Sequence, residues 1–250
     1  MKASFELMGR RMRPLLKATG WSVALCALFS ALSIYFRMPN KALHDWGIES
    51  PMAAFVLQTV VYTLTVLSSF VVGATLWSWI NKRPLLHNLW RYTTVSVVAA
   101  VSALTVILCI PFAYVVPSIM LKEKGEKLQA WAAYKTGFRH FSSLLMIYFL
   151  GLLIIAVISC IIFLPAIILG GAQLMSQLGA LDGDPLGVPG YFTPLFILVL
   201  TLIVFISNYM SMWLDLTFVY LYGSVEAQQE EKNKQLRLEK HEISDRNTEL

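Results

Sequence analysis

Charge is what this chain lacks most. Only 14% of its 250 residues are charged and 57% are apolar, whereas soluble domains carry about 25% charged and about 45–50% apolar residues. That deficit excludes a water-soluble globule, and the apolar excess excludes a disordered chain. Cysteine is scarce as well. Cys26, Cys109 and Cys160 are odd in number and all lie inside apolar runs, so no disulfide framework is predicted and the three read as small hydrophobes. The four histidines, His44, His87, His140 and His241, stand in four separate flanks, with no pair at metal-ligand spacing. The sequence has no phosphate-cradling glycine loop, no nucleophile elbow and no paired carboxylates within an apolar run. Neither a cofactor nor a catalytic centre is therefore predicted.

What is present is hydrocarbon. Five apolar segments stand out, at 20–36, 52–80, 92–121, 142–169 and 192–222. A bilayer core needs about 20 helical residues, so the first is short and the others are long enough to tilt, kink or project. The predicted fold is all-α: a polytopic transmembrane helical bundle of about five apolar segments, with interfacial amphipathic helices. It divides into a basic amphipathic helix at 1–19, a transmembrane domain at 20–222 and a charged tail at 223–250. Residues 1–36 also look like a signal peptide, with a basic start and Ala31-Leu32-Ser33 after an apolar run. The long basic region and Trp21 favour an uncleaved anchor. Six of the seven tryptophans (Trp21, Trp46, Trp77, Trp79, Trp90 and Trp213) fall near segment ends, as an aromatic belt requires.

The net charge is +5. The basic residues flank apolar runs and form no recognised nucleic-acid module, so the predicted partner is the lipid bilayer and its anionic headgroups rather than nucleic acid. All 20 Lys and Arg lie outside the five segments, and the loop holding Asp182 and Asp184 has none. Five full crossings from an inside N-terminus leave eight basic residues inside and twelve outside, against the positive-inside tendency. If the third segment enters and leaves on one face, eighteen lie inside and two outside. If the first only lies in the interface, the split is seventeen to three. Pro111 and Pro117 interrupt the third segment, as a re-entrant stretch requires; a single kinked span is the alternative. Both even-crossing arrangements place the third loop and the C-terminus in the cytoplasm and the Asp182–Asp184 loop outside.

Two surface helices are predicted. In the first, Phe5, Met8, Met12, Leu15 and Leu16 form an apolar stripe opposite Glu6, Arg10, Arg13 and Lys17, with Arg10, Arg11, Arg13 and Lys17 placed to meet lipid headgroups. The second, at 124–140, aligns Trp131, Tyr134, Phe138, Phe141 and Leu145. The tail is expected to extend the last span and to fray after His241.

One ionisable residue lies within a span, Asp215, with Asn208 seven residues earlier on the same helix face. Such a residue is costly in lipid and so suggests cation binding or proton relay. It stands about two turns from the charged tail, so a headgroup-depth contact with Arg139 or Lys82 is the alternative. Arg139 is a further functional candidate. The stretches Val116-Pro-Ser-Ile-Met-Leu121 and Leu164-Pro-Ala-Ile-Ile-Leu169 echo each other, as inverted repeats in transporters do. Small residues recur at contact spacing in Ala27/Ala31, Ser96/Ala100 and Ala99/Ala103. Asp182-Gly-Asp184 lacks the remaining ligands of a calcium loop and reads as a surface turn.

The run Val116-Pro-Ser-Ile-Met-Leu-Lys-Glu123, followed by Ala130-Trp-Ala-Ala133 and Gly137-Phe-Arg-His-Phe141, resembles the multi-spanning membrane domain attached to some bacterial glycerophosphodiester phosphodiesterases and its stand-alone relatives. The resemblance covers about 35 residues. It implies a bacterial inner-membrane protein and brings no site residues with it, and no phosphodiesterase domain is present. The leading expectation is an integral membrane protein without catalysis, a scaffold, assembly or accessory subunit with a membrane-protein partner. The alternative is a small transporter or channel using Asp215 and Asn208. A transport role requires a cavity that reaches Asp215.

Overall fold

The computed structural model describes residues 2–37, 50–102, 110–121, 130–181 and 189–248. They form an all-α bundle of eight helices, with no strand among the described residues. The helices are α1 (Lys2–Arg37), α2 (Pro51–Asn81), α3 (Leu85–Ser102), α4 (Phe112–Leu121), α5 (Ala130–Arg139), α6 (Phe141–Ile162), α7 (Leu164–Leu181) and α8 (Phe192–Thr248). Four stretches are long and apolar enough to cross a membrane: Gly9–Arg37, Pro51–Asn81, Phe141–Ile162 and Phe192–Glu239. The protein is thus a polytopic helical membrane bundle, with four such helices among the described residues.

Proline sets most of the boundaries. Pro14 lacks the N–H that would bond the Arg10 carbonyl, and its ring crowds that carbonyl. The backbone answers by leaving helical geometry at Arg11 (φ −110°, ψ 17°). Ser50 is extended before Pro51 at the start of α2, and Lys82 ends that helix in the left-handed region at φ 55°. Pro111 opens α4. Pro165 cannot bond the Ile161 carbonyl, and the helix breaks at Phe163 between α6 and α7. The Val116 and Leu164 stretches therefore occupy unlike places: one closes α4 and the other opens α7, so no repeated element underlies the echo.

Three long helices make the frame. α1 runs antiparallel to α2, with Ser22 Oγ 2.9 Å from Thr75 Oγ1, and antiparallel to α8, with Thr19 Oγ1 3.2 Å from the Tyr209 hydroxyl. At the far end the Tyr35 hydroxyl reaches Thr193 Oγ1 at 3.4 Å. Such hydroxyl pairs hold apolar helices together where lipid offers no hydrophobic drive. Ala27 and Ala31 are fully buried and let α1 pack closely. The core is three clusters along this frame. One lies around Tyr35, Phe196 and Leu200; one around Leu15, Leu76 and Met212; the third, around Tyr114, Leu144 and Phe218, joins α4, α6 and α8.

The described parts of the third segment, α3 and α4, lie side by side and antiparallel. Arg91, near the start of α3, donates from Nη2 to the Ile119 carbonyl near the end of α4. Asn81 Nδ2, at the end of α2, donates to the neighbouring Met120 carbonyl at 3.3 Å. The segment therefore enters and leaves at one end of the bundle. The same end collects the Arg11 region, the α2–α3 turn, α5 and the point where α8 leaves the bundle. Tyr114 of α4 donates to Glu226 Oε1 at 3.4 Å there.

Several expectations are corrected by this geometry. Helical geometry runs through 19/20 and is interrupted at Arg11 instead, and Leu15 and Thr19 are buried inside the bundle rather than laid on its surface. In α5 the bundle-facing residues are Ala133 and Gly137, while Trp131 and Phe138 point outward. Gly137 is required there, because a Cβ would stand 2.9 Å from the Pro111 carbonyl oxygen. Trp77 and Trp213 are buried packing residues rather than belt residues, whereas Trp21 and Trp90 are exposed. The helix of the tail continues to Thr248. Trp46, Cys109, residues 122–129 and the Asp182–Asp184 loop lie outside the described residues.

Candidate functional site

The α3–α4 pair, α6 and α8 leave a cavity of about 580 Å³ between them. Asp215 of α8 opens into it. So do Trp77 from α2, Tyr92 and Ser96 from α3, Pro117 from α4, and Leu144 and Tyr148 from α6. Protein surrounds the Asp215 side chain closely, and its free surface faces the cavity. Its neighbours on α8, Trp213, Leu214, Leu216 and Thr217, are buried.

The depth of the cavity follows from its walls. Trp77 is one turn before the end of α2, and Tyr92 is two turns into α3. The site lies just inside the end of the bundle that carries most of the basic residues. Among the described residues its lining is apolar apart from Asp215, Ser96 and the two tyrosines, Tyr92 and Tyr148. Tyr92 is hydrogen-bonded to Ser96 and its hydroxyl feels the Asp215 carboxylate. Among the described residues no basic side chain pairs with Asp215. A carboxylate in such surroundings is costly unless a cation or a proton neutralises it.

Small residues make the space. Ser96, Ala99 and Ala100 of α3 line the cavity instead of closing a helix contact. Gly73 of α2 matters in the same way, because a Cβ there would run into the Tyr92 ring.

The other predicted site residues are placed elsewhere. Asn208 is outside the cavity, and its Nδ2 donates to the Val204 carbonyl of its own helix at 2.8 Å. Arg139 is exposed on α5 beside Lys135 and Trp131. Lys82 lines a separate cavity with Arg11. Arg10, Arg11, Arg13 and Lys17 are all exposed. Asp215 is thus brought together with neither Asn208 nor Arg139. Among the described residues, no group of three or more His, Cys, Asp or Glu is placed to hold a metal ion.

A polar clasp at the turn between α2 and α3 went unnoticed in the sequence. Asn81 and Asn88 exchange amide hydrogen bonds, each Nδ2 donating to the other's Oδ1 at 3.0 Å. Asn88 is fully buried. The Arg83 amide donates to Asn81 Oδ1 at 3.1 Å, and Ser78 Oγ donates to the Arg83 carbonyl at 2.6 Å. Together with Arg91, Asn81 caps the last carbonyls of α4, where a cation also suits the negative end of the helix. Partial burial, and then the charge of Arg83, lower the Arg91 guanidinium pKa from its usual value. The clasp is what fixes one wall of the Asp215 cavity. Its signal in the sequence was two asparagines seven apart beside Pro84, residues that read as ordinary loop.

Compared with family models, curated proteins and solved structures, the chain matches none.

Proposed function

We propose that this protein is a small transporter whose binding site is the Asp215 cavity, and that it takes a monovalent organic cation with an apolar body. The observation that carries the reading is the cavity itself, which a transport role requires to reach Asp215. Its volume falls within the range of about 300–1,000 Å³ usual for small-molecule sites. Its lining is too apolar for a bare hydrated ion, which needs polar groups to replace its water shell. An apolar cation satisfies both the walls and the carboxylate. The position of the site, just inside the basic end, suits a ligand that partitions from the lipid. Equilibrium binding of tetraphenylphosphonium to the purified protein tests the reading. Asp215→Asn is expected to weaken binding at least tenfold and Asp215→Glu to retain it. Equal binding by wild type and Asp215→Asn would overturn it.

The positive-inside tendency supports an orientation with the basic end, and hence the third loop and the C-terminus, in the cytoplasm. Arg37 alone among the described basic residues stands at the opposite end. The resemblance at residues 116–141 supports a bacterial inner membrane.

The second reading is a scaffold, assembly or accessory subunit. It is favoured by α6, whose buried residues are only Leu144 and Gly151 out of 22. A helix so little covered by its own chain is suited to packing against a membrane-protein partner. This reading predicts that Asp215→Asn is tolerated and that crosslinks from Phe149 or Val157, both exposed, capture one stoichiometric partner.

A further inference from the structure

A second cavity, of about 820 Å³, lies at the basic end between α1, α2 and α8. Arg11 and Lys82 line it from two different helices, with Ser224 beside them and no carboxylate in the wall. Trp79, Leu216 and Val219 form its apolar side, and Tyr220 stands half-exposed at its edge. Both side chains are exposed, and among the described residues no carboxylate lines the cavity with them. Their placement is built into the backbone. Arg11 sits at the break in α1 caused by Pro14, and Lys82 occupies the left-handed residue that ends α2.

We infer that this cavity is a binding site for the phosphate headgroup of an anionic phospholipid. Two cations without a carboxylate call for an anion, and a phosphate accepts from both. The carbonyl end of α2 opposes an anion, so the two charges together are what make the site attractive. The apolar wall selects the source. A soluble phosphate has no use for Trp79, Leu216 and Val219, whereas the glycerol and upper acyl chain of a phospholipid cover them. Basic pockets between transmembrane helices at the cytoplasmic side bind lipid headgroups on this principle. The site is independent of the Asp215 cavity, so neither reading depends on the other.

The test measures phosphatidylglycerol retained by the protein purified in an uncharged detergent, by native mass spectrometry, with phosphatidylcholine as control. Each cation contributes about 1 kcal/mol near a surface. The Arg11→Gln/Lys82→Gln double variant is therefore expected to bind phosphatidylglycerol about 25-fold more weakly, and Lys82→Gln alone about fivefold. Arg11→Lys/Lys82→Arg, which keeps both charges, retains the lipid, as does Asp215→Asn. Lys232→Gln/Lys234→Gln, which removes two exposed charges outside the cavity, leaves retention unchanged. Equal losses in the two double Gln variants would overturn the site in favour of diffuse attraction. Displacement of the lipid by millimolar glycerol phosphate would overturn the lipid as its occupant. A change in melting midpoint of the Lys82→Gln variant in lipid-free detergent would assign the residue a structural role instead.

Discussion

The asparagine clasp makes an asymmetric prediction about stability. Asn88→Ala removes two reciprocal amide bonds, but Asn81 keeps the Met120 carbonyl and the Arg83 amide as partners. Hydrogen bonds between helices in membranes contribute about 0.6 kcal/mol each on average, so this variant is expected to cost about 1–2 kcal/mol with the small volume left behind. Asn81→Ala removes the same two bonds and the other two as well. It also strands the fully buried Asn88 amide, whose one remaining contact is the Arg83 carbonyl at 3.5 Å. An unsatisfied buried amide costs a further 1–3 kcal/mol or so, which brings Asn81→Ala to about 3–5 kcal/mol. The double variant removes the stranded group along with its cause and costs no more than Asn81→Ala alone. The coupling energy is therefore at least about 1–2 kcal/mol. Reversible unfolding in mixed micelles, followed by circular dichroism, measures all four corners of the cycle. Equal costs for the two single variants, or additivity within about 0.3 kcal/mol, would refute the role given to the clasp.

Two glycines give predictions of opposite character to an open control. Gly137→Ala drives a Cβ against the Pro111 backbone, which cannot yield, at about 2–3 kcal/mol; the helix-propensity gain of about 1 kcal/mol offsets part of this. A net loss of about 1–2 kcal/mol in unfolding free energy is expected, whereas Gly170→Ala, with nothing within 4 Å of the new methyl, is neutral or stabilising. Gly73→Ala displaces the Tyr92 ring, so it is expected to destabilise by about 1–2 kcal/mol and to weaken tetraphenylphosphonium binding. Adding Tyr92→Leu recovers most of that stability, which a thermal shift series detects.

The helical class and the membrane setting were legible because lipid imposes a long apolar run that no other chemistry needs. Counting Lys and Arg by loop narrowed the choice to two arrangements, one in which the third segment turns back and one in which the first only lies in the interface, and charge alone did not choose between them. The residues that hold the third segment turned back were not legible. Asn81, Asn88 and Arg91 lie in a short polar stretch that looks solvated until the Ile119 and Met120 carbonyls are folded against it. Asp215 was legible as an isolated charge, but its company was not. Helix periodicity put Asn208 on its face, whereas the cavity walls come from α3, α4 and α6, which no spacing along α8 encodes. The stripe at Trp131, Tyr134, Phe138, Phe141 and Leu145 was expected on one helix, yet α5 ends at Arg139, Phe141 and Leu145 belong to α6, Tyr134 packs against the core, and the small residues Ala133 and Gly137 face inward. In lipid, an aromatic face gains as much outward as inward, and close backbone approach decides the matter. The position of the break in α1 was not legible either: helical geometry continues through 19/20 and is interrupted at Arg11, three residues before Pro14.

The central structural claim is that α3 and α4 return the chain to the end where α2 delivered it. Single cysteines at Glu6, Lys82, Lys135, Lys234 and Tyr191, all exposed positions, are labelled with a membrane-impermeant maleimide in intact cells and in inverted vesicles, with Cys26, Cys109 and Cys160 replaced. Labelling of the first four positions from one side of the membrane and of Tyr191 from the other is the result predicted. Labelling of Lys82 and Lys135 from opposite sides would contradict it, because the third segment would then be a crossing.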